Sequence, residues 1–180
     1  PLNNLASVYE DMGDYAAAEP LFRQSLAQRR QSLAPDSAPV LRAEYNLARL
    51  LLRRGDLAES RGLIDRVQAG YLARYGADDT NTAKARLLDA EWQVRRGDFA
   101  AARERQPAIA KAAAASDPYL HARAASVAAD LAHHDGDAAA EIVQRQAALD
   151  ALAARLGKAH PLVAELAIRL AVAQAGAGHA

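Results

Sequence analysis

Apolar positions recur every three or four residues along most of the chain, the spacing of helices with one buried face. The segment from Ala38 to Arg54 shows it clearly. At about 100° per residue, Arg42, Tyr45, Asn46, Arg49 and Arg53 fall within one arc, while Leu47, Ala48, Leu50 and Leu51 fill the opposite one. A helix with a polar, basic face and an apolar face is therefore expected there. Similar reasoning predicts helices over Leu2 to Met12, Tyr15 to Ser32, Leu57 to Tyr75, Asp79 to Arg96 and Phe99 to Ala115. A further helix should end near His134, followed by one over Ala138 to Leu156 and another starting near His160. Pro20 and Pro107 fall inside two of these, where each ring crowds the carbonyl four residues back; a bend is expected at Pro20 and a bend or break at Pro107. No segment alternates as a strand would.

Glycine followed by aspartate punctuates this pattern at Gly13-Asp14, Gly55-Asp56, Gly97-Asp98 and Gly136-Asp137, at spacings of 42, 42 and 39 residues, and Gly178 stands 42 further on. Each glycine is expected to end one helix in left-handed backbone, and each aspartate to cap the next. Self-similarity at such a period marks a repeat array. The expected fold is all-α, a solenoid of antiparallel helix pairs forming one domain over residues 1–180. Its repeats run over about 1–36, 37–78, 79–117 and 118–158, with a partial fifth at 159–180. The 39-residue interval implies a shorter connection near Ser116-Asp117-Pro118. Because the chain stops where the second helix of a repeat should follow, a fragment of a longer protein is expected.

Charge and composition narrow the function. The 180 residues carry 22 basic and 22 acidic side chains, so no long-range field attracts nucleic acid or an anionic membrane. Hydrophobic residues make up 51% but aromatics only 5%, which suits closely packed, alanine-rich helices. Without cysteine there are no disulfides or thiolate metal sites. The apolar stretch from Leu162 to Gly178 is interrupted by Glu165 and Arg169 and does not read as a membrane span. No targeting segment is visible, and a cytoplasmic location is expected. No nucleophile, base and orienting acid can be paired, and no phosphate-binding glycine loop is present, so neither enzyme activity nor a cofactor is expected. His133, His134, Asp135 and Asp137 cluster around one turn, but adjacent helical side chains diverge by about 100°. A metal site is not expected.

Leu2, Leu5, Ala6 and Tyr9, then Gly13, Tyr15, Ala18 and Phe22, resemble the tetratricopeptide pattern, in which large and small side chains let two antiparallel helices interlock. The longer period and the LNNLA and AEPLF segments resemble the kinesin-light-chain type of that family. Its Gly-Pro-Asp-His-Pro-like connection is echoed at Ala34-Pro35-Asp36, Gly76-Ala77-Asp78-Asp79-Thr80 and Gly157-Lys158-Ala159-His160-Pro161. The resemblance implies a right-handed superhelix whose first helices line a concave groove. It also implies a peptide ligand, with asparagines holding its backbone and basic residues its carboxylates. Asn4 and Asn46 match the asparagine position.

In the same register the groove face takes Asn3, Asn4 and Ser7 from the first repeat, then Lys84, Leu87, Leu88, Glu91 and Arg95 from the third. The fourth supplies Arg123, Ser126, Asp130 and His134. Six bases (Arg42, Arg49, Arg53, Lys84, Arg95, Arg123) thus meet two acids, Glu91 and Asp130, on one face of a neutral chain. The expected peptide-binding residues are Asn4, Arg42, Tyr45, Asn46, Arg49, Arg53, Lys84, Arg95 and Arg123, and the expected ligand is acidic or carries a free C-terminal carboxylate. In this register Leu87 and Leu88 face outward while Asp89 and Gln93 turn inward. Either that helix is rotated or the groove has an apolar pocket, and Trp92 reads equally as core or as a stacking platform. Three functions follow: a noncatalytic scaffold binding a protein or peptide, a regulatory arm of a bacterial kinase or transcription regulator, or a self-association module.

Overall fold

The computed structural model describes residues 2–114 and 118–178. Among these there are nine helices and no strand: α1 (Leu2–Asp11), α2 (Tyr15–Ser32), α3 (Ala38–Arg54), α4 (Leu57–Tyr75), α5 (Thr80–Arg95), α6 (Phe99–Ala114), α7 (Pro118–Asp135), α8 (Ala138–Leu156) and α9 (Pro161–Ala177). The fold is all-α, with consecutive helices packed as in a tetratricopeptide-like solenoid. Of the expected short connection, Ser116 and Asp117 lie outside the described residues; Pro118 opens α7.

The Gly-Asp turns explain why each helix ends where it does. Gly13, Gly55, Gly97 and Gly136 have φ of 80°, 91°, 84° and 76°, a conformation only glycine adopts cheaply. At each turn the aspartate N–H reaches back five residues and the glycine N–H three, as in Asp14 to the Tyr9 carbonyl (2.9 Å) and Gly13 to that of Glu10 (3.0 Å). The carboxylates of Asp14, Asp98 and Asp137 then accept from the N–H groups of Ala17, Ala101 and Ala140 at 3.0, 3.2 and 2.9 Å. Asp56 departs from the expected pattern: its carboxylate makes no cap and instead meets Arg54 Nε at 3.2 Å. Gly178, which no aspartate follows, has φ of −78°. His160 caps α9, its Nδ1 accepting from the Leu162 N–H at 3.2 Å. Helices α2 and α6 continue through Pro20 and Pro107, so α6 does not break.

The chain divides into two compact units, Pro1–Leu88 and Asp89–Ala180, with the boundary inside α5. In the first, α3 is the central helix: Val40, Leu41, Leu47, Ala48, Leu50, Leu51 and Leu52 are buried, together with Phe22 of α2 and Ile64 and Val67 of α4. Gly70 of α4 is needed for this packing, because a Cβ there would lie 2.5 Å from Leu41 Cδ2. The second unit has a core cluster of Ala122, Leu152 and Val163, against which Tyr119, Leu149, Leu156 and Leu166 pack. Ala6, Ala48, Ala90 and Ala129, the small residues expected at close helix contacts, are all fully buried.

Two side chains reverse what periodicity implied. Leu87 and Leu88 are fully buried rather than groove-lining, yet Asp89 and Gln93 are buried as well, so α5 is covered on both sides instead of being simply rotated. Asp89, as the register expected, turns inward and is 1% exposed, paired with Arg105. Trp92 is buried as well, with the Arg96 guanidinium 4.9 Å from its ring centroid, so it belongs with the core. Conversely Leu5, expected to interlock with α2, is 46% exposed, and Val8 and Met12 are exposed too. No helix among the described residues is long and apolar enough to cross a membrane.

Candidate functional site

The face shared by α1 and α3 carries the greatest concentration of the expected ligand-binding residues. Its floor is polar and organised. Asn46 Nδ2 donates to Asn3 Oδ1 at 2.9 Å, joining helices whose contributing residues are 43 positions apart. Asn46 is buried, and this is its side chain's one hydrogen bond among the described residues, which leaves the side-chain carbonyl oxygen and second amide proton unused. Asn4 is exposed beside it in sequence. Tyr45 is buried, 6.5 Å from the Tyr71 ring, and burial pushes the Tyr71 phenol well above its usual range, with Tyr45 and Tyr75 adding to the effect.

Glu10 changes the electrostatics of this face. Its carboxylate is completely buried, and Arg49 grips it with Nε at 2.9 Å and Nη2 at 2.6 Å, while Arg53 Nη1 stands 3.5 Å away. The Arg49 guanidinium also lies 5.8 Å from the Tyr45 ring centroid. A fork on a carboxylate is the strongest ordinary ion-pair geometry. An acid outside the predicted face thus neutralises part of its basic stripe. Arg42, one turn before Asn46, is exposed and makes no ion pair among the described residues.

The second unit repeats the device. Arg123 of α7 forks Glu91 of α5 with Nε at 2.8 Å and Nη2 at 2.6 Å, and lies 5.8 Å from the Tyr119 ring centroid. In both cases an arginine four residues after a tyrosine clasps a carboxylate from the preceding first helix of a repeat. That spacing, Tyr45 to Arg49 and Tyr119 to Arg123, was a signal available in the sequence. Arg95 is exposed in the second unit and Lys84 half-buried in the first, each without an ion pair among the described residues. Asp130 is raised by burial, only partly opposed by Arg145, whose Nη2 is 3.3 Å away.

The histidine cluster is disassembled by its neighbours. His133 Nδ1 is 2.9 Å from Glu141, the His134 ring stacks on Phe99 at 3.8 Å, Asp135 pairs with Arg103 at 2.6 Å, and Asp137 caps α8. Burial raises Glu141, but hydrogen bonds to His133 and Arg145 outweigh it and hold the carboxyl below the usual range. No group of three or more potential metal ligands converges among the described residues.

Consecutive packed helix pairs define a repeat scaffold. Residues 1–66, from α1 into α4, match the family model of the tetratricopeptide repeat, which supports a tetratricopeptide repeat protein. No curated protein matches the chain. Tetratricopeptide repeats are generally noncatalytic protein-protein interaction modules.

Proposed function

We propose that the shared face of α1 and α3 binds an extended, acidic peptide segment of a partner protein, in the manner of a kinesin-light-chain-like array of bacterial, cytoplasmic origin. The observation carrying this is Asn46: a buried amide held in place by Asn3, with a donor and an acceptor left for one peptide unit. Arg42, exposed one helical turn away, supplies the cation for the peptide carboxylate. Arg49 and Arg53 shape the floor through Glu10 and add positive potential, and Asn4 contacts the peptide from α1. Charge-assisted hydrogen bonds contribute about 1.5–3 kcal/mol each, so Arg42→Ala and Asn46→Ala should each weaken an acidic peptide about tenfold. Fluorescence anisotropy with a labelled acidic peptide and its amide-substituted counterpart tests this. Equal affinity for both peptides, or for Arg42→Ala and parent, would move the ligand elsewhere.

A further inference from the structure

A second place in the first unit has the makings of a binding site, and it involves α2 and α4 rather than the α1–α3 face. These two helices flank a cleft of about 370 Å³ floored by Leu26, Leu47 and Leu63. All three leucines belong to the buried core, so the cleft reaches apolar atoms directly. Its rim is charged unevenly. At one end Arg23 and Glu59 satisfy each other through two hydrogen bonds of 2.7 and 2.8 Å and leave no net charge. Elsewhere on the rim Arg30 Nη2 and Arg66 Nε converge on a single oxygen, Glu44 Oε1, at 2.6 and 3.1 Å.

That convergence is unbalanced. Glu44 is 3% exposed, whereas the Arg30 and Arg66 side chains are 47% and 52% exposed. Each guanidinium has five N–H donors and gives one nitrogen to Glu44, with no other hydrogen bond or ion pair among the described residues. Two cations therefore face one buried anion, and the surplus positive charge lies on the rim beside the leucine floor.

We infer that this cleft is a second peptide site, taking an aliphatic side chain onto the leucine floor and an adjacent aspartate or glutamate of the same segment between Arg30 and Arg66. A carboxylate matches the planar guanidinium fork. The partner is a protein segment rather than a fatty acid, because a long acyl chain would overrun a trough floored by three leucines. Gly62 keeps the cleft open. It sits inside α4, where glycine disfavours the helix relative to alanine, yet a Cβ there would meet nothing nearer than Arg66 Nη1 at 4.0 Å. Packing in the free protein does not require glycine at this position, but an occupied cleft does.

The probe is the doubly capped peptide Ac-Ala-Glu-Leu-Leu-Ala-NH2, titrated into the full chain and followed by amide chemical shifts. Shifts confined to α2 and α4 around Ala27 and Gly62 are expected. Affinity should fall at least tenfold when the glutamate is replaced by glutamine, and at least tenfold in Gly62→Leu, whose side chain fills the cleft. Arg66→Ala should show the same loss. Arg42→Ala should leave binding unchanged, which separates this site from the α1–α3 face. Absence of shifts at millimolar peptide, unchanged affinity in Gly62→Leu, or shifts lost in Arg42→Ala would overturn the assignment. Decanoate binding more tightly than the peptide would overturn the choice of a protein partner.

Discussion

Replacing Arg49 with alanine should destabilise the first unit rather than merely remove a contact for ligand. In the folded chain Arg49 holds Glu10 through two charge-assisted hydrogen bonds of 2.9 and 2.6 Å, and Glu10 is fully buried. The variant strands that carboxylate. Breaking a buried ion pair by removing one partner costs about 3–5 kcal/mol, because the remaining charge keeps its desolvation penalty. Arg53 stays 3.5 Å from the carboxylate and compensates in part, so the lower end, about 3 kcal/mol, is expected. At roughly 2–4 °C per kcal/mol for a chain of this size, Tm should fall by about 6–12 °C. Thermal denaturation followed by circular dichroism reads this directly. The control is Glu10→Leu combined with Arg49→Met, which removes both charges and replaces them with apolar volume, and should restore most of the loss. An Arg49→Ala variant melting with the parent, or a double variant as unstable as the single, would refute the reasoning.

Gly70→Ala should destabilise by about 1–3 kcal/mol through overpacking against Leu41, while Gly62→Ala, with open space around its Cβ, should be neutral or stabilising; urea denaturation distinguishes them. Asp137→Ala should cost about 1 kcal/mol by removing the α8 cap, and Asp56→Ala should cost less because its carboxylate caps nothing. The Glu59 carboxyl is held below the usual range by its hydrogen bond to Arg23, against a smaller effect of burial. Its stabilising contribution should therefore be fully present above about pH 4.3 and be lost as pH falls through the lower folded value. Carboxyl NMR titration should show Glu59 returning to the ordinary range in Arg23→Ala. In α6 the Arg103 carbonyl lacks an N–H partner at Pro107, so amide exchange around Arg103 to Ala108 should be faster than in α4.

The helix limits and turns were legible because their causes are local. A left-handed φ at Gly13, Gly55, Gly97 and Gly136 is a property of one residue, and a cap reaches three residues forward. Helices α2, α3, α4 and α8 accordingly begin and end where periodicity and the Gly-Asp pairs placed them. Asp56 shows where local logic stops: the same dipeptide met an arginine two residues back, and the carboxylate took the charge in preference to the cap.

The rotation of each helix about its axis, and the side chains that rotation brings together, belong to tertiary packing. A 3.6-residue period marks an apolar stripe, but in α5 the residues alternate too little to tell which side is covered, and packing buries Leu87 and Leu88 as well as Asp89, which pairs with Arg105. Likewise the basic stripe of α3 was visible, whereas its neutralisation by Glu10 depends on a residue 39 positions earlier on a helix whose facing side only packing decides. The convergence of Arg30 and Arg66 on Glu44 joins three helices at separations of 14 and 22 residues. Spacing along one helix carries no information about such meetings, since each depends on how far neighbouring helices are turned and how closely their small residues let them approach.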